Sequence, residues 1–319
     1  MNFLIDHALI MLIALLIDLT VGDPSENRER YYPIVWISRL MYFFDRRTTR
    51  GDPRREKLLG ILYPLIILFL FTLPCFLLLL FIPSDLLYIG IGALIFKMTF
   101  TISGLERYGR AVVAAPAIEA KRAAVRKIVG REVDGLDRDL LNSAAIESVA
   151  ENLTDSVIAP FFYFLLFGIG GAMAYRVINT LDAVVGYKTA RYLHFGWFSA
   201  RTDHLLNYIP ERIAAALILL TGRLEKGGLS KMANAASNAQ VTIAAMSHVL
   251  RVRLEKQGYY VAGEQYPGAT EERIAAAIRV MKRVALLFAA LAIGLLVLLY
   301  LLSLSRFTIF TAASTALLA

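Results

Sequence analysis

The densest concentration of reactive side chains lies between Ile146 and Pro160, which reads I-E-S-V-A-E-N-L-T-D-S-V-I-A-P. Glu147, Glu151 and Asp155 are spaced i, i+4 and i+8, which sets three carboxylates on one face of a helix. Exposed like charges at that spacing repel by about 0.2–0.5 kcal/mol per pair. The repulsion grows in a drier setting, and this segment runs straight into an apolar one. Something cationic must neutralise the face, either arginine side chains or a metal ion. Mg²⁺ beside a nucleotide suits the pattern, because it takes one or two carboxylates together with phosphate oxygens and water. A solvated acidic face paired with arginines is the simpler alternative, and spacing alone does not separate the two.

A second polar set occupies Ala174 to Tyr187, A-Y-R-V-I-N-T-L-D-A-V-V-G-Y, where Arg176, Asn179 and Asp182 follow at steps of three. Burying an ionisable residue costs roughly 2.5–3.5 kcal/mol at the centre of a membrane helix, so such residues in a membrane-proximal helix point to a function, with a polar helix–helix contact as the alternative. Two further stretches are weaker. Gly22-Asp23-Pro24 reads as a chain-stopping turn after the first apolar block. Phe195 to Asn207 offers Arg201 and Asp203, with Trp197 as an interfacial anchor. No G-x-x-x-x-G-K-[ST], H-E-x-x-H or G-x-S-x-G occurs, so any ATP is used without a P-loop. His7, His194, His204 and His248 have no ligand spacing, and the sole cysteine, Cys75, excludes an internal disulfide or a cysteine zinc site.

The elements that must position these groups are membrane helices. Of 319 residues, 57% are hydrophobic, above the usual half, and they gather in blocks separated by charged stretches. Full spans are expected at 3–19, 58–82, 86–102 and 284–304. The first lacks a basic leader or a cleavage pattern and reads as a retained span. Pro64 and Pro74 kink the second, and Lys97 snorkels from the third. The apolar runs 157–174 and 211–222 are short. The first contains Pro160 and ends among Gly168, Gly170 and Gly171, which suits a re-entrant hairpin. Ala111 to Lys127 reads as a surface helix, Gly222 to Gly228 as a flexible break, Asn234 to Leu254 as helical and Gln257 to Thr270 as a loop.

The net charge of +8 has its source in the loops. Arginines crowd the connection after the first span, the link between the second and third has no Lys or Arg, and the region after the third is basic again. The positive-inside rule places the first loop and residues 103–283 in the cytoplasm, provided the short runs do not cross. No basic run interleaved with aromatics occurs, which argues against nucleic acid. The expected fold class is an all-α polytopic membrane bundle: one integral membrane domain over 1–319 with four full spans, a re-entrant hairpin and a helical cytoplasmic region bearing the chemistry.

These segments together resemble the membrane-bound adenosylcobinamide-phosphate synthase family. The resemblance is carried by Gly22-Asp23-Pro24, Gly130-Arg131, Ile146 to Asn152 with Asp155 and Pro160, and Tyr175-Arg176 with Asn179 to Asp182. It continues through Gly186-Tyr187, Phe195-Gly196-Trp197 and Ser199 to Arg201 with Asp203 and Asn207. The sequence departs from the family pattern at Tyr32-Pro33-Ile34, where His-Pro-Val is usual, at Asp203-His204 for a paired Asp-Asp, and at Ser237 to Gln240 for a Ser-Pro-Asn-Ala-Gly type motif.

The resemblance implies amide formation between adenosylcobyric acid and (R)-1-amino-2-propanol O-phosphate, with ATP and Mg²⁺. It implies Glu147, Glu151, Asp155 and Asp182 as the metal and nucleotide carboxylates, and Asp23 or Asp203 as the base. Asn152 and Asn179 would orient, Arg176 and Arg201 would hold phosphates, and Tyr175, Thr180 and Trp197 complete the expected binding set. Expected partners are the corrinoid, the amino-alcohol phosphate and membrane lipids, with other cobalamin-assembly membrane enzymes or a second copy as further candidates. A non-catalytic sensor or scaffold of the same family is the competing reading. A transporter is disfavoured because the chain shows no internal repeat.

Overall fold

The computed structural model describes residues 3–24, 29–222 and 238–317. The order is α1 (Phe3–Thr20), α2 (Pro33–Arg47), α3 (Pro53–Phe81), α4 (Asp85–Lys97), α5 (Ser103–Ala114), α6 (Ile118–Arg126) and α7 (Arg138–Leu153). Then come α8 (Ala159–Val185), α9 (Trp197–Thr221), α10 (Asn238–Leu250), the strands β1 (Leu254–Lys256) and β2 (Tyr260–Ala262), and α11 (Glu271–Leu317). The fold is the expected all-α bundle. Four segments are long and apolar enough to cross a membrane by length and composition: Phe3–Thr20, Pro53–Leu78, Arg138–Val185 and Glu271–Leu304.

Local chemistry sets the boundaries. Asp52 caps α3, accepting from the Arg54 and Arg55 amides at 2.9 and 3.4 Å, with Pro53 at the first helical position. The surface helix expected over 111–127 is broken into α5 and α6. Pro116 lacks the N–H that continuation needs and biases Ala115 toward its extended conformation. The loop expected over 257–270 contains β2, which pairs antiparallel with β1 around a turn containing Gly258. The break at Gly222–Gly228 lies outside the described residues apart from Gly222, and the helix expected from Asn234 is described from Asn238.

The third expected span, 86–102, is a shorter element. α4 covers 13 residues, about 20 Å at 1.5 Å per residue, against a hydrocarbon core of roughly 30 Å. It ends where Lys97 is drawn to Asp18 and Asp23, at 3.0 and 2.7 Å. Asp18 in turn accepts from the Ile102 and Ser103 amides at 3.2 and 3.0 Å, satisfying the open N-terminus of α5.

The chain reverses inside α8. Gly168 adopts φ 65° and ψ −153°, a region essentially closed to residues with a Cβ, and an added Cβ would lie 2.6 Å from Nε2 of His7. Tyr163 and Tyr175 stack with centroids 5.2 Å apart, although twelve residues of straight helix would separate them by about 18 Å. Residues 159–167 and 169–185 are therefore the arms of a helical hairpin. Its tip reaches the level of His7 near the start of α1, and its two ends return to one side of the bundle. The core runs between these arms, α1, α4, α7 and α11.

Candidate functional site

At the base of the hairpin α7 runs from Asp137, whose side chain caps the Leu140 amide at 2.9 Å, into a π-helical turn over Thr154–Ile158. Such turns add a residue to the helical register and re-aim side chains. Here Asp155 projects alongside Glu147 and Glu151 into a cleft of about 400 Å³. The second arm supplies Asn179 and Asp182, the segment after α6 supplies Gly130 and Arg131, and the ribbon supplies Lys256 and Tyr260. The hairpin thus brings together Asp155 and Asp182, two halves of the carboxylate set separated by an apolar excursion.

The carboxylates are not equivalent. Glu147 is fully engaged: its Oε1 accepts from Ser143 at 2.7 Å, and its Oε2 from Tyr260 at 2.7 Å and Arg131 at 3.3 Å. Burial and the adjacent Glu147 charge push the Tyr260 phenol well above its usual range, so it stays a donor. Glu151 and Asp182 line the same cleft, and their side chains accept no hydrogen bond from a described residue. Asp182 approaches Gly186 so closely that a Cβ there would sit 1.9 Å from its Oδ1, so glycine is required for this placement.

Asp155 heads a buried network. Its Oδ1 accepts from the Tyr175 hydroxyl at 3.3 Å and from Asn207 Nδ2 at 3.1 Å, and the same nitrogen donates to Asp203 Oδ2 at 3.0 Å. Asn179 Nδ2 donates to Asp203 Oδ1 at 3.2 Å, and Arg176 Nη1 donates to Asn179 Oδ1 at 3.3 Å. Asp203 therefore stands one layer behind the cleft wall. Burial, with the negative charge of Asp182, pushes its carboxyl up to about 7.

Among the described residues no three His, Cys, Asp or Glu side chains are grouped to hold a metal ion by themselves. The expected set Glu147, Glu151, Asp155 and Asp182 is therefore not a preformed metal centre, because Glu147 and Asp155 are committed to protein donors. Glu151 and Asp182 remain, and two carboxylates fit Mg²⁺ when phosphate oxygens complete the shell. The cationic alternative is met among the described residues at Glu147, which pairs with Arg131 at 3.3 Å.

Several expected residues fall elsewhere. Thr180 is buried and donates to the Arg176 carbonyl of its own helix at 2.7 Å. Trp197 is exposed at the start of α9, with Lys57 Nζ 3.9 Å from its ring centroid, and Arg201 is exposed one turn on. Neither lines the cleft. Asn152 lines it while donating to the Ser148 carbonyl at 2.8 Å, and Tyr175 supports Asp155 from behind. Asp23 is held at a separate place by Lys97 and by the Thr101 hydroxyl at 2.6 Å. Lys256 and Tyr260 carried no sequence signal, whereas Arg131 and Asn207 stood in matched stretches without an assigned role.

The family model described as CobD/Cbib protein matches residues 11–287. A Thermococcus kodakarensis protein named "Probable cobalamin biosynthesis protein CobD" is 42% identical over 266 residues, covering 82% of this chain and 86% of its own. A Pyrococcus furiosus protein of the same name is 41% identical over 264 residues, covering 82% and 88%. The Dehalococcoides mccartyi "Cobalamin biosynthesis protein CobD" is 31% identical over 302 residues, covering 90% and 97%. No solved structure matches the chain. The matched region contains the hairpin, the cleft and the network behind it, and the chain belongs to the CobD/Cbib family.

Proposed function

We propose that this chain acts in cobalamin biosynthesis as an ATP-dependent amide ligase at the cytoplasmic face of the cell membrane. It would join a carboxylate of adenosylcobyric acid to the amine of (R)-1-amino-2-propanol O-phosphate, giving adenosylcobinamide phosphate. The observation that carries this reading is a cleft holding two uncommitted carboxylates, Glu151 and Asp182, beside Arg131 and Lys256, in a CobD/Cbib chain. The basic loops on the cleft side support the cytoplasmic placement.

Carboxylate and ammonium do not condense in water without activation. Transfer of the γ-phosphoryl of ATP to the corrinoid carboxylate forms an acyl phosphate and ADP. The amine then attacks the carbonyl carbon, the bond to the phosphate oxygen breaks, and inorganic phosphate leaves. Bound Mg²⁺ would offset charge on the transferring phosphoryl group. Glu151 and Asp182 are the residues that would hold it, with Asn152 and Asn179 as orienters and Lys256 on the opposite wall. Glu147 positions Arg131 and Tyr260.

The amine must shed a proton before attack. Of the bases expected from sequence, Asp23 is occupied by Lys97 and Thr101, and Asp203 lies behind Asn179. Asp155 faces the cleft and shares Asn207 with Asp203, so it is the proton acceptor in this reading. The test supplies Mg-ATP, adenosylcobyric acid and aminopropanol phosphate to detergent-purified protein and follows the corrinoid by mass. Product with wild type, and loss of both product and Mg²⁺-dependent nucleotide binding in Glu151→Gln, is the expected result. Folded protein that yields no product with aminopropanol phosphate or ethanolamine phosphate refutes the ligase reading.

A further inference from the structure

A separate cavity, of about 560 Å³, lies between α5 and the first turns of α11, and it shares no lining residue with the carboxylate cleft. Gly109 sets the two helices close together: a Cβ there would lie 2.8 Å from Cδ1 of Ile278. Val113, Ala275 and Ile278 form an apolar floor, and Glu106, Arg110, Arg279, Lys282 and Arg283 form the polar wall.

The charges on that wall do not balance. Glu106 is its one acid, and two cations already share it, Arg110 at 2.7 Å and Lys282 at 2.6 Å. Arg279 and Arg283 are exposed, stand one turn apart on α11 and have no ion-pair or hydrogen-bond partner among the described residues. Like charges at that spacing repel, and an anion shared between them removes the repulsion. Guanidinium groups take phosphate in a forked geometry. With Glu106 already shared, no carboxylate remains on the wall for a choline or ethanolamine ammonium, so a group of net negative charge is favoured.

The depth of the cavity distinguishes a lipid from a soluble anion. Asp18, in the last turn of α1, accepts from the Ile102 and Ser103 amides at 3.2 and 3.0 Å, so α5 starts level with the end of the first span. Lys282 meets Glu106 in the first turn of α5, which places Lys282 and Arg283 where hydrocarbon gives way to headgroups. The apolar part of α11 begins at the next residue, Val284. Arg279, Arg283, Leu286 and Ala290 follow at steps of four, three and four and are all exposed, so one helix face carries two guanidinium groups and then an apolar stripe. A phospholipid lying along α11 meets both parts, its phosphate on the arginines and its chains on Leu286 and beyond. A soluble phosphate would use the charged part only.

We infer that the groove between α5 and α11 is a binding site for an anionic phospholipid of the cytoplasmic leaflet, with Arg279 and Arg283 forked on its phosphate. The negative charge of that leaflet draws basic segments beside membrane helices. The site needs the cytoplasmic placement of the basic loops and is independent of the ligation chemistry.

Detergent-purified full chain is titrated with phosphatidylglycerol or phosphatidylcholine, and bound lipid is counted by native mass spectrometry. One tight equivalent of phosphatidylglycerol is expected, with phosphatidylcholine weaker by about tenfold or more. Arg279→Gln and Arg283→Gln should each weaken phosphatidylglycerol about fivefold, and the double variant about 25-fold, at about 1 kcal/mol per basic residue. Both side chains are exposed and unpaired, so the variants should keep the wild-type denaturation midpoint. Arg279→Lys with Arg283→Lys, which keeps the charge without the fork, should recover part of the affinity. Arg54→Gln with Arg55→Gln removes the same charge from the exposed first turn of α3 and should leave binding unchanged.

Undiminished phosphatidylglycerol binding in the Arg279 and Arg283 double variant overturns the inference. An equal loss in Arg54→Gln with Arg55→Gln reveals diffuse attraction only and overturns it as well. Equal affinity for phosphatidylcholine has the same force, as does displacement by glycerol 3-phosphate, which assigns the arginines to a soluble phosphoester. Product formation is read separately. Lipid binding that depends on both arginines, without product, removes the ligase reading and leaves this site standing; product without such binding does the reverse.

Discussion

Glu147 and Glu151 stand one helical turn apart on the same face of α7, yet their replacement by glutamine should have opposite consequences. Glu147→Gln removes the charge that receives the Tyr260 hydroxyl at 2.7 Å and Arg131 at 3.3 Å. Hydrogen bonds to a charged group contribute about 1.5–3 kcal/mol each. Arg131 retains 22% side-chain exposure and can rehydrate, so its share is at the lower end. The expected loss for Glu147→Gln is therefore about 3–4.5 kcal/mol, measured by equilibrium denaturation in detergent. A double-mutant cycle with Tyr260→Phe should return a coupling of about 1.5–3 kcal/mol.

Glu151→Gln removes a like charge from a face without breaking a protein hydrogen bond. Its stability should stay within about 0.5 kcal/mol of wild type or rise slightly. Magnesium-dependent nucleotide binding, followed by calorimetry, should instead collapse in Glu151→Gln. If Glu151→Gln destabilises as much as Glu147→Gln, or if the Tyr260 coupling is near zero, the division into one structural and one ligand-binding carboxylate is wrong.

Three other expectations follow from the same geometry. Gly168→Ala should lower stability by about 1–3 kcal/mol from backbone strain, with the His7 contact adding to it, and wild-type denaturation midpoints would refute the hairpin reversal. Lys97→Met leaves Asp18 and Asp23 without their cation and should cost about 3–5 kcal/mol, with Asp18→Asn in the same background recovering part of the loss. Asp203, raised to about 7, is penalised in the folded state once ionised. Wild-type stability should fall relative to Asp203→Asn from about pH 4 to pH 7, by at most about 1.4 kcal/mol per pH unit, and a flat difference across that window counts against the burial of its charge.

Much of this was legible from residues. The apolar blocks at 3–19, 58–82 and 284–304 correspond to helices because helical length and apolar composition are local properties. The glycine cluster after Phe167 pointed to a reversal, and Gly168 occupies the conformation that only glycine tolerates. The third block was misjudged in length, because Lys97 ends α4 through contacts with Asp18 and Asp23, distant in sequence. Within the site, i, i+4, i+8 spacing correctly placed Glu147, Glu151 and Asp155 toward one cleft. It could not reveal that Tyr260 and Arg131 occupy Glu147, nor that Trp197, Thr180 and Arg201 stand off the cleft wall.

The amino-acid sequence by itself determined the class of this protein: a membrane helical bundle with two polar sets flanking an apolar hairpin, and an ordered series of motifs belonging to one family. Those features depend on periodicity, composition and residue identity, which need no distant partner. Tertiary structure alone decided which carboxylates are free. Burying a charge demands a donor, and the donors for Glu147 and Asp155 arrive from a loop, a ribbon and a helix up to 113 residues away, as the Tyr260 contact illustrates. Among the described residues no neighbour donates a hydrogen bond to Glu151 or Asp182, and this is why the proposed ligand site falls to them.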